Sequence, residues 1–211
     1  MTNLADETGS YPAVAVGTDL NVLGKVGSGI TFDGATDRVN AGRLGNFGST
    51  HMASGFTIEC WAKWTASGAR MSLCGVINDG TTTFVELAVN HNVANAVDNG
   101  RFTAYLRGDS GGQRYRQSAT AGLNDGLWHH LAAGFDGSSW QVYVDGDLDN
   151  GTESNTGTLG GFSNFGYDLM LGCRNVRGTL QDFYEGSLDE FAFYPTLLPS
   201  SRVLARISAA A

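Results

Sequence analysis

The run Leu127–Gly146 (LWHHLAAGFDGSSWQVYVDG) constrains this chain more than any other segment. Its apolar positions alternate with polar ones at Trp140, Val142 and Val144, against Gln141 and Tyr143. Two Asp-Gly pairs, Asp136-Gly137 and Asp145-Gly146, supply the positive φ angles that tight hairpin turns demand. A period of two bounded by such turns folds as strand, turn, strand, turn, and cannot settle as a helix. The segment fixes a β architecture and contains no catalytic constellation of its own.

The same signals recur along the chain. Short strands are expected at Gly29–Phe32 and Asp37–Ala41, with Asp33-Gly34 turning between them. Phe56–Trp64 is the clearest strand: Phe56, Ile58, Cys60, Ala62 and Trp64 share one face, while Thr57, Glu59, Trp61 and Lys63 share the other. Further strands are expected at Arg70–Val76, Thr82–Val89, Arg101–Arg107, Gln113–Gln117, Leu127–Phe135, Trp140–Val144, Asp168–Leu171 and Ser187–Tyr194. This spacing, with 30 glycines and only 16% charged residues in 211, predicts an all-β fold, a sandwich or a jelly roll. No linker or repeat divides it, so residues 1–211 are expected to form a single domain.

The tail departs from this pattern. Pro199 suits a first helical turn, and Val203, Leu204 and Ile207 form an apolar stripe at helical spacing. A short C-terminal helix is expected over about 199–211, packed on the sandwich edge or used as an assembly contact.

Lys and Arg number 13 against 21 Asp and Glu, a net charge of −8, which argues against nucleic acid or an anionic membrane as the partner. No stretch is long and apolar enough to insert in a membrane, and residues 1–7 lack the basic and apolar regions of a secretory leader. The three cysteines, Cys60, Cys74 and Cys173, show no CxxC spacing and are expected to be free thiols, with a structural disulfide as the alternative.

Four segments, in order, carry a resemblance to the laminin-G-like jelly rolls of the concanavalin A-like lectin/glucanase superfamily. They are Gly24–Gly27 through Ile30–Gly34 with Asp37-Arg38-Val39; Phe56–Lys63; Trp128–Ala132 through Tyr143–Gly146; and Leu171-Gly172 with Glu185–Tyr194 and the terminal helix. The resemblance implies two antiparallel sheets, one curved, with loops gathered at the rims. It does not fix one function, because relatives include glycan binders, adhesion modules, enzyme accessory domains and virion proteins.

Catalysis is the weakest expectation. Retaining glucanases need two carboxyls about 5–5.5 Å apart on one face. Asp189 and Glu190 are adjacent and face opposite sides, Glu185 lies across Gly186, and the alternating Asp145, Asp147 and Asp149 sit on a hairpin turn. Those three aspartates also imitate the start of an EF-hand loop, but Asn150 stands where Gly is required and Thr156 where Glu is required. His129 and His130 point to opposite faces and cannot chelate one ion together; His129 is in phase with Leu131, Ala133 and Phe135, which suits a structural histidine.

The resemblance also implies a structural Ca²⁺ tying the N-terminal segment to the last strand, with Asp6 and Asp189 as ligands and backbone carbonyls completing the shell. A turn role for Asp6 and a solvent-facing role for Asp189 are the alternatives. For glycan binding, Tyr105, Tyr115, Tyr143 and Trp61 are candidate platforms, and Asn78, Asp79, Asp109 and Asp125 fall in expected rim loops. Asn78, Asp79, Tyr105 and Tyr115 form the expected ligand-binding set, while core roles for Trp61 and Trp140 are the alternative.

The leading expectation is a non-enzymatic structural or binding protein, most specifically a virion surface protein (capsid decoration or appendage) with glycan-binding capacity. It would be made in a host cytoplasm without a leader and would contact other virion proteins, itself as a homo-oligomer, or surface glycans. Two alternatives stand beside it: a carbohydrate-binding module cut from a larger secreted, extracellular protein, and a glycan hydrolase or lyase with an atypical site.

Overall fold

The computed structural model describes residues 13–44, 47–77, 83–92 and 97–209. In chain order the strands are β1 (Val14–Val16), β2 (Asp19–Leu23), β3 (Ser28–Asp33), β4 (Arg38–Asn40), β5 (Phe56–Lys63), β6 (Met71–Ile77), β7 (Phe84–His91), β8 (Val97–Arg107) and β9 (Gln113–Ser118). They continue as β10 (His129–Phe135), β11 (Trp140–Val144), β12 (Asp147–Leu148), β13 (Asn150–Thr156), β14 (Met170–Leu171), β15 (Arg174–Val176), β16 (Thr179–Gln181) and β17 (Glu185–Tyr194). A π turn at Gly48–Met52 and a terminal helix, α1 (Ser200–Ala209), complete the described elements.

Two sheets form a sandwich. One runs β1-β4-β14-β6-β7-β8-β9-β13, with β15 and β16 appended beside β6; the other runs β12-β11-β10-β5-β17-β3-β2. Pairing is antiparallel apart from β15 against β6. The chain is therefore all-β with a short C-terminal helix, as its alternation implied.

The alternation sets which face meets the core. Leu131 of β10 stands opposite Cys60 of β5 and Val144 of β11, so register carries one apolar row across three strands. Phe56, Ile58, Cys60, Ala62 and Trp64 pack with Leu131, Ala133, Phe135, Trp140 and Val142 against Leu73, Val85, Leu87, Phe102, Ala104 and Leu106 of the other sheet. Each large side chain so buried contributes about 1.5–3 kcal/mol. Phe56 sits at the centre of an aromatic group, 5.3 Å from Trp140 and 5.6 Å from Phe193 between ring centroids.

The turns obey the expected chemistry. At Asp33-Gly34, Gly34 has φ of +74°, and Asp33 Oδ1 accepts the backbone N–H groups of Ala35, Thr36 and Asp37. Those three donors hold the Asp33 carboxyl well below the usual carboxylate range. At the second hairpin turn, Asp136 Oδ1 likewise accepts from Ser138 and Ser139.

The outer face of β5 differs from expectation in being covered. Thr57, Glu59 and Trp61 are all buried. The segment after β17 folds back over them: Thr57 Oγ1 donates to the Thr196 carbonyl at 3.1 Å and accepts from Leu198 N at 2.9 Å. Glu59 accepts from the Tyr194 hydroxyl at 2.9 Å and lies 3.3 Å from Arg206 Nε of α1. Thus α1 packs on the outer face of the seven-stranded sheet, not on the sandwich edge. Val203 seals it against Ala132 and Tyr143. Glycine permits the approach: a Cβ at Gly146 would lie 2.7 Å from Ile207 Cδ1, and one at Gly134 would lie 2.6 Å from Leu197 Cδ1. Among the described residues no helix is long and apolar enough to cross a membrane.

Candidate functional site

The outer face of the ten-stranded sheet carries a cleft of about 390 Å³, within the range of small-molecule sites. Strand register builds it. Glu86 of β7 stands opposite Tyr105 of β8, Tyr105 opposite Tyr115 of β9, and Tyr115 opposite Ser154 of β13. The neighbouring row, two residues along, runs Phe84, Arg107, Gln113 and Thr156. Because successive residues face opposite sides, Val85, Leu87, Ala104 and Leu106 of the same strands go to the core. The polar and aromatic residues between them are left for the cleft.

Tyr105 is half-buried, its ring 5.5 Å from that of Phe84. Tyr115 is only 3% exposed and donates its hydroxyl to the His91 carbonyl at 3.3 Å. Tyr105 thus offers a ring to a ligand, and Tyr115 forms the floor beside it. Burial pushes both phenols up, that of Tyr115 to about 12, so both remain protonated donors at neutral pH.

One wall is an ionic cluster. Arg70 pairs with the buried carboxylate of Glu86, which also accepts from the Ser72 hydroxyl. Asp182 Oδ2 lies 3.1 Å from Arg70 Nε and 3.0 Å from Arg174 Nε. Gly75 lies between Glu86 and Arg174 in the register, and a Cβ there would approach Arg174 Cβ to 2.7 Å. The missing side chain lets Arg174 lie across the strand. Burial raises the Glu86 carboxyl, opposed by Arg70 and Arg174.

The remaining candidates fall elsewhere. Trp61 and Tyr143 are buried on the outer face of the other sheet and offer no platform: Lys25 lies 4.9 Å over the Trp61 ring, and Tyr143 lies under α1. Trp140 is core. Asn78 and Asp79 lie outside the described residues. Asp109 serves the rim structurally, accepting from Thr83 and Ser163 hydroxyls. Asp125 accepts from Leu127 N at 2.8 Å and lies 3.3 Å from His129 Nε2.

Asp189 is buried rather than solvent-facing. Its Oδ2 accepts from Val26 N at 2.8 Å and its Oδ1 from Glu190 N at 2.9 Å, which pins the Gly24–Gly27 turn to a bulge in β17. Asp6 lies outside the described residues. Among the described residues no group of three or more His, Cys, Asp or Glu could hold a metal ion. The three cysteines are free and buried.

The arginines and Glu86 of the cleft were missed in the sequence. They come from strands far apart in the chain, and only register brings them together. A visible signal did exist: Phe84, Glu86 and Ala88, then Thr103, Tyr105 and Arg107, alternate with strictly apolar neighbours.

Solved structures share this fold. Domain 4 of AbnA, a GH43 extracellular arabinanase from Geobacillus stearothermophilus solved with arabinotriose, superposes with a TM-score of 0.68 at 19% identity, covering 96% of this chain and 92% of that one. A botulinum neurotoxin type C structure, whose cell entry depends on two ganglioside molecules, gives 0.69 at 12% identity over 97% of this chain and 48% of that one. The binding domain of botulinum neurotoxin DC in complex with SialylT gives 0.68 at 11% identity, over 97% and 48%. The chain therefore spans about half the length of the toxin domains it matches. No curated protein matches it. A family profile matches residues 33–204, which take in β4 through β17 and the start of α1, and by that match the chain belongs to the concanavalin A-like lectin/glucanases superfamily.

Proposed function

We propose that the protein is a non-enzymatic carbohydrate-binding module that takes a short glycan in the cleft of the ten-stranded sheet. One observation carries this reading: Tyr105 presents a ring beside the Tyr115 floor, with Arg107 and Gln113 in the adjoining row. Sugars need just this pairing, an aromatic ring for their C–H face and planar polar groups for their hydroxyls. The arabinotriose complex of the Geobacillus domain, the ganglioside dependence of the type C toxin and the SialylT complex of the DC toxin domain lend support from the same fold. A hydrolase would need carboxylates presented to substrate. Glu86, beneath the cleft, is instead buried and engaged by Arg70 and Ser72.

The test is a glycan array followed by isothermal titration. Tyr105→Ala is expected to weaken binding at least tenfold, a loss of about 1.4 kcal/mol. Absence of binding to every glycan, or unchanged affinity in Tyr105→Ala, overturns the reading. Such a module would serve equally on a virion surface or in a larger secreted protein, and sedimentation of the native material separates these settings.

A further inference from the structure

The cleft contains an imbalance of charge. Arg70, Arg107 and Arg174 line it. Arg70 and Arg174 share Glu86 and Asp182, with contacts of 3.0–3.9 Å to those carboxylates in addition to the direct Arg70–Glu86 bond. Arg107 has no ion pair among the described residues, and its Nε is buried without a hydrogen-bond partner. A guanidinium carries five donors and no acceptor, and desolvating one without partners is costly. Among the described residues three guanidiniums face two carboxylates, so one positive charge is in excess beside Tyr105. A proton on Glu86 would enlarge that excess.

Building on the glycan reading, we propose that the cleft selects an acidic sugar, one carrying a carboxylate or a sulfate, and that Arg107 pairs with the acidic group while Tyr105 takes the ring. The planar fork of arginine matches a two-oxygen anion bidentately. Gln113, opposite Arg107 in the strand register, is placed to receive a neighbouring hydroxyl. The whole chain is acidic, at −8, so it repels a polyanion. One unpaired arginine in a cleft suits a single acidic residue on a short glycan instead.

Isothermal titration of the full chain with three trisaccharides of one length tests this: one neutral, one with a terminal uronate and one with a single sulfate. An acidic sugar is expected to bind at least tenfold tighter than the neutral one, and whichever acid is preferred identifies the group. In Arg107→Gln that ratio is expected to fall toward one. Arg107→Lys, which keeps the charge and loses the fork, should retain part of it. Thermal unfolding of both variants reports their folding, and if Arg107→Gln does not fold, the Lys variant alone must still lower the ratio. Equal affinity for neutral and acidic sugars, or a preference that the Arg107 variants leave intact, overturns the acidic selection and leaves glycan binding standing. Failure of all three sugars to bind overturns the acidic selection, and if no glycan of the array binds either, the glycan reading falls with it.

Discussion

At the scale of the residue, His129 shows how a titratable side chain is given a structural role by the two carboxylates that flank it. Its Nδ1 lies 2.8 Å from Asp145 Oδ2 and its Nε2 3.3 Å from Asp125 Oδ1, while Asp145 Oδ1 also accepts from His130 N. The bond to Asp145 raises the imidazole above its ordinary 6.5, and burial opposes it. For Asp145, burial pushes upward, but the bonds from His129 and His130 outweigh it and hold the carboxyl below 3.8. The native state therefore binds the histidine proton more tightly than the unfolded chain. This contribution is fully present below an unfolded value of about 6.5 and is lost as pH rises through the higher folded value. On the acid side it fades as the aspartates protonate. Both aspartates are more than two-fifths exposed, so the pair contributes at most about 1 kcal/mol, or roughly 2–4 °C in Tm. Thermal melts of the wild type and His129→Gln between pH 4.5 and 8.5 should differ most near pH 5–6 and converge above the raised pKa. A gap that widens with pH would show that the ion pair is not the source.

At the scale of the element, the terminal helix is held by few contacts. Val203 is its buried side chain, and Arg206 reaches Tyr194 and Glu59. Removing Val203 from its seat costs about 2 kcal/mol, near 4–8 °C in Tm, because a fully buried valine contributes about that much. Val203→Asp should undock α1 and speed tryptic cleavage at the exposed Arg202 and Arg206, while amide protons of β5 and β10 stay protected. Simultaneous loss of that protection would show that the helix and the core unfold together. The stripe at Val203, Leu204 and Ile207 made the helix legible, but its docking face was not. The strand it covers reads as an alternating one with a polar outer face, and nothing in Thr57, Glu59 and Trp61 shows that a later segment lies over them. For the opposite reason β13 escaped notice: Asn150–Thr156 is an edge strand with hardly a buried side chain, so it needs no apolar alternation. Strands β1, β2, β15 and β16 are short or peripheral in the same way. In the cleft, Tyr105 and Tyr115 were visible as aromatics in strands. The arginine pairing was not, because Arg174 meets Glu86 only through the register of β15, β6 and β7.

At the scale of the whole molecule, the three free thiols report how cooperatively the sandwich opens. Cys60 belongs to β5 and Cys74 to β6, so they lie in opposite sheets, and both face the shared core. Cys173 follows β14 at the junction with β15 and is equally buried. Burial pushes all three thiols up, Cys74 to about 12 and Cys173 to about 11, so none supplies reactive thiolate in the folded state at neutral pH. The sheets cannot separate without exposing Cys60 and Cys74 together, because both are sealed in the core between them. Labelling with a thiol reagent through a urea gradient should therefore show Cys60 and Cys74 protected in the native protein and reactive at one midpoint, coincident with loss of near-ultraviolet dichroism. Cys173 is the discriminating position. If β15 and β16, which attach through the short parallel pairing with β6, form a separate low-stability unit, Cys173 will react at lower urea than the other two. Asp182 bridges Arg70 and Arg174, and both arginines reach Glu86 of β7, so this cluster ties the β15–β16 segment to the sheet and predicts a single midpoint for all three thiols. In Glu86→Gln, which removes one of the two carboxylates holding those arginines, the Cys173 midpoint should move to lower urea ahead of the others. Coincident midpoints in that variant would mean that backbone pairing alone holds the segment, and that the ionic wall of the cleft contributes nothing to its closure.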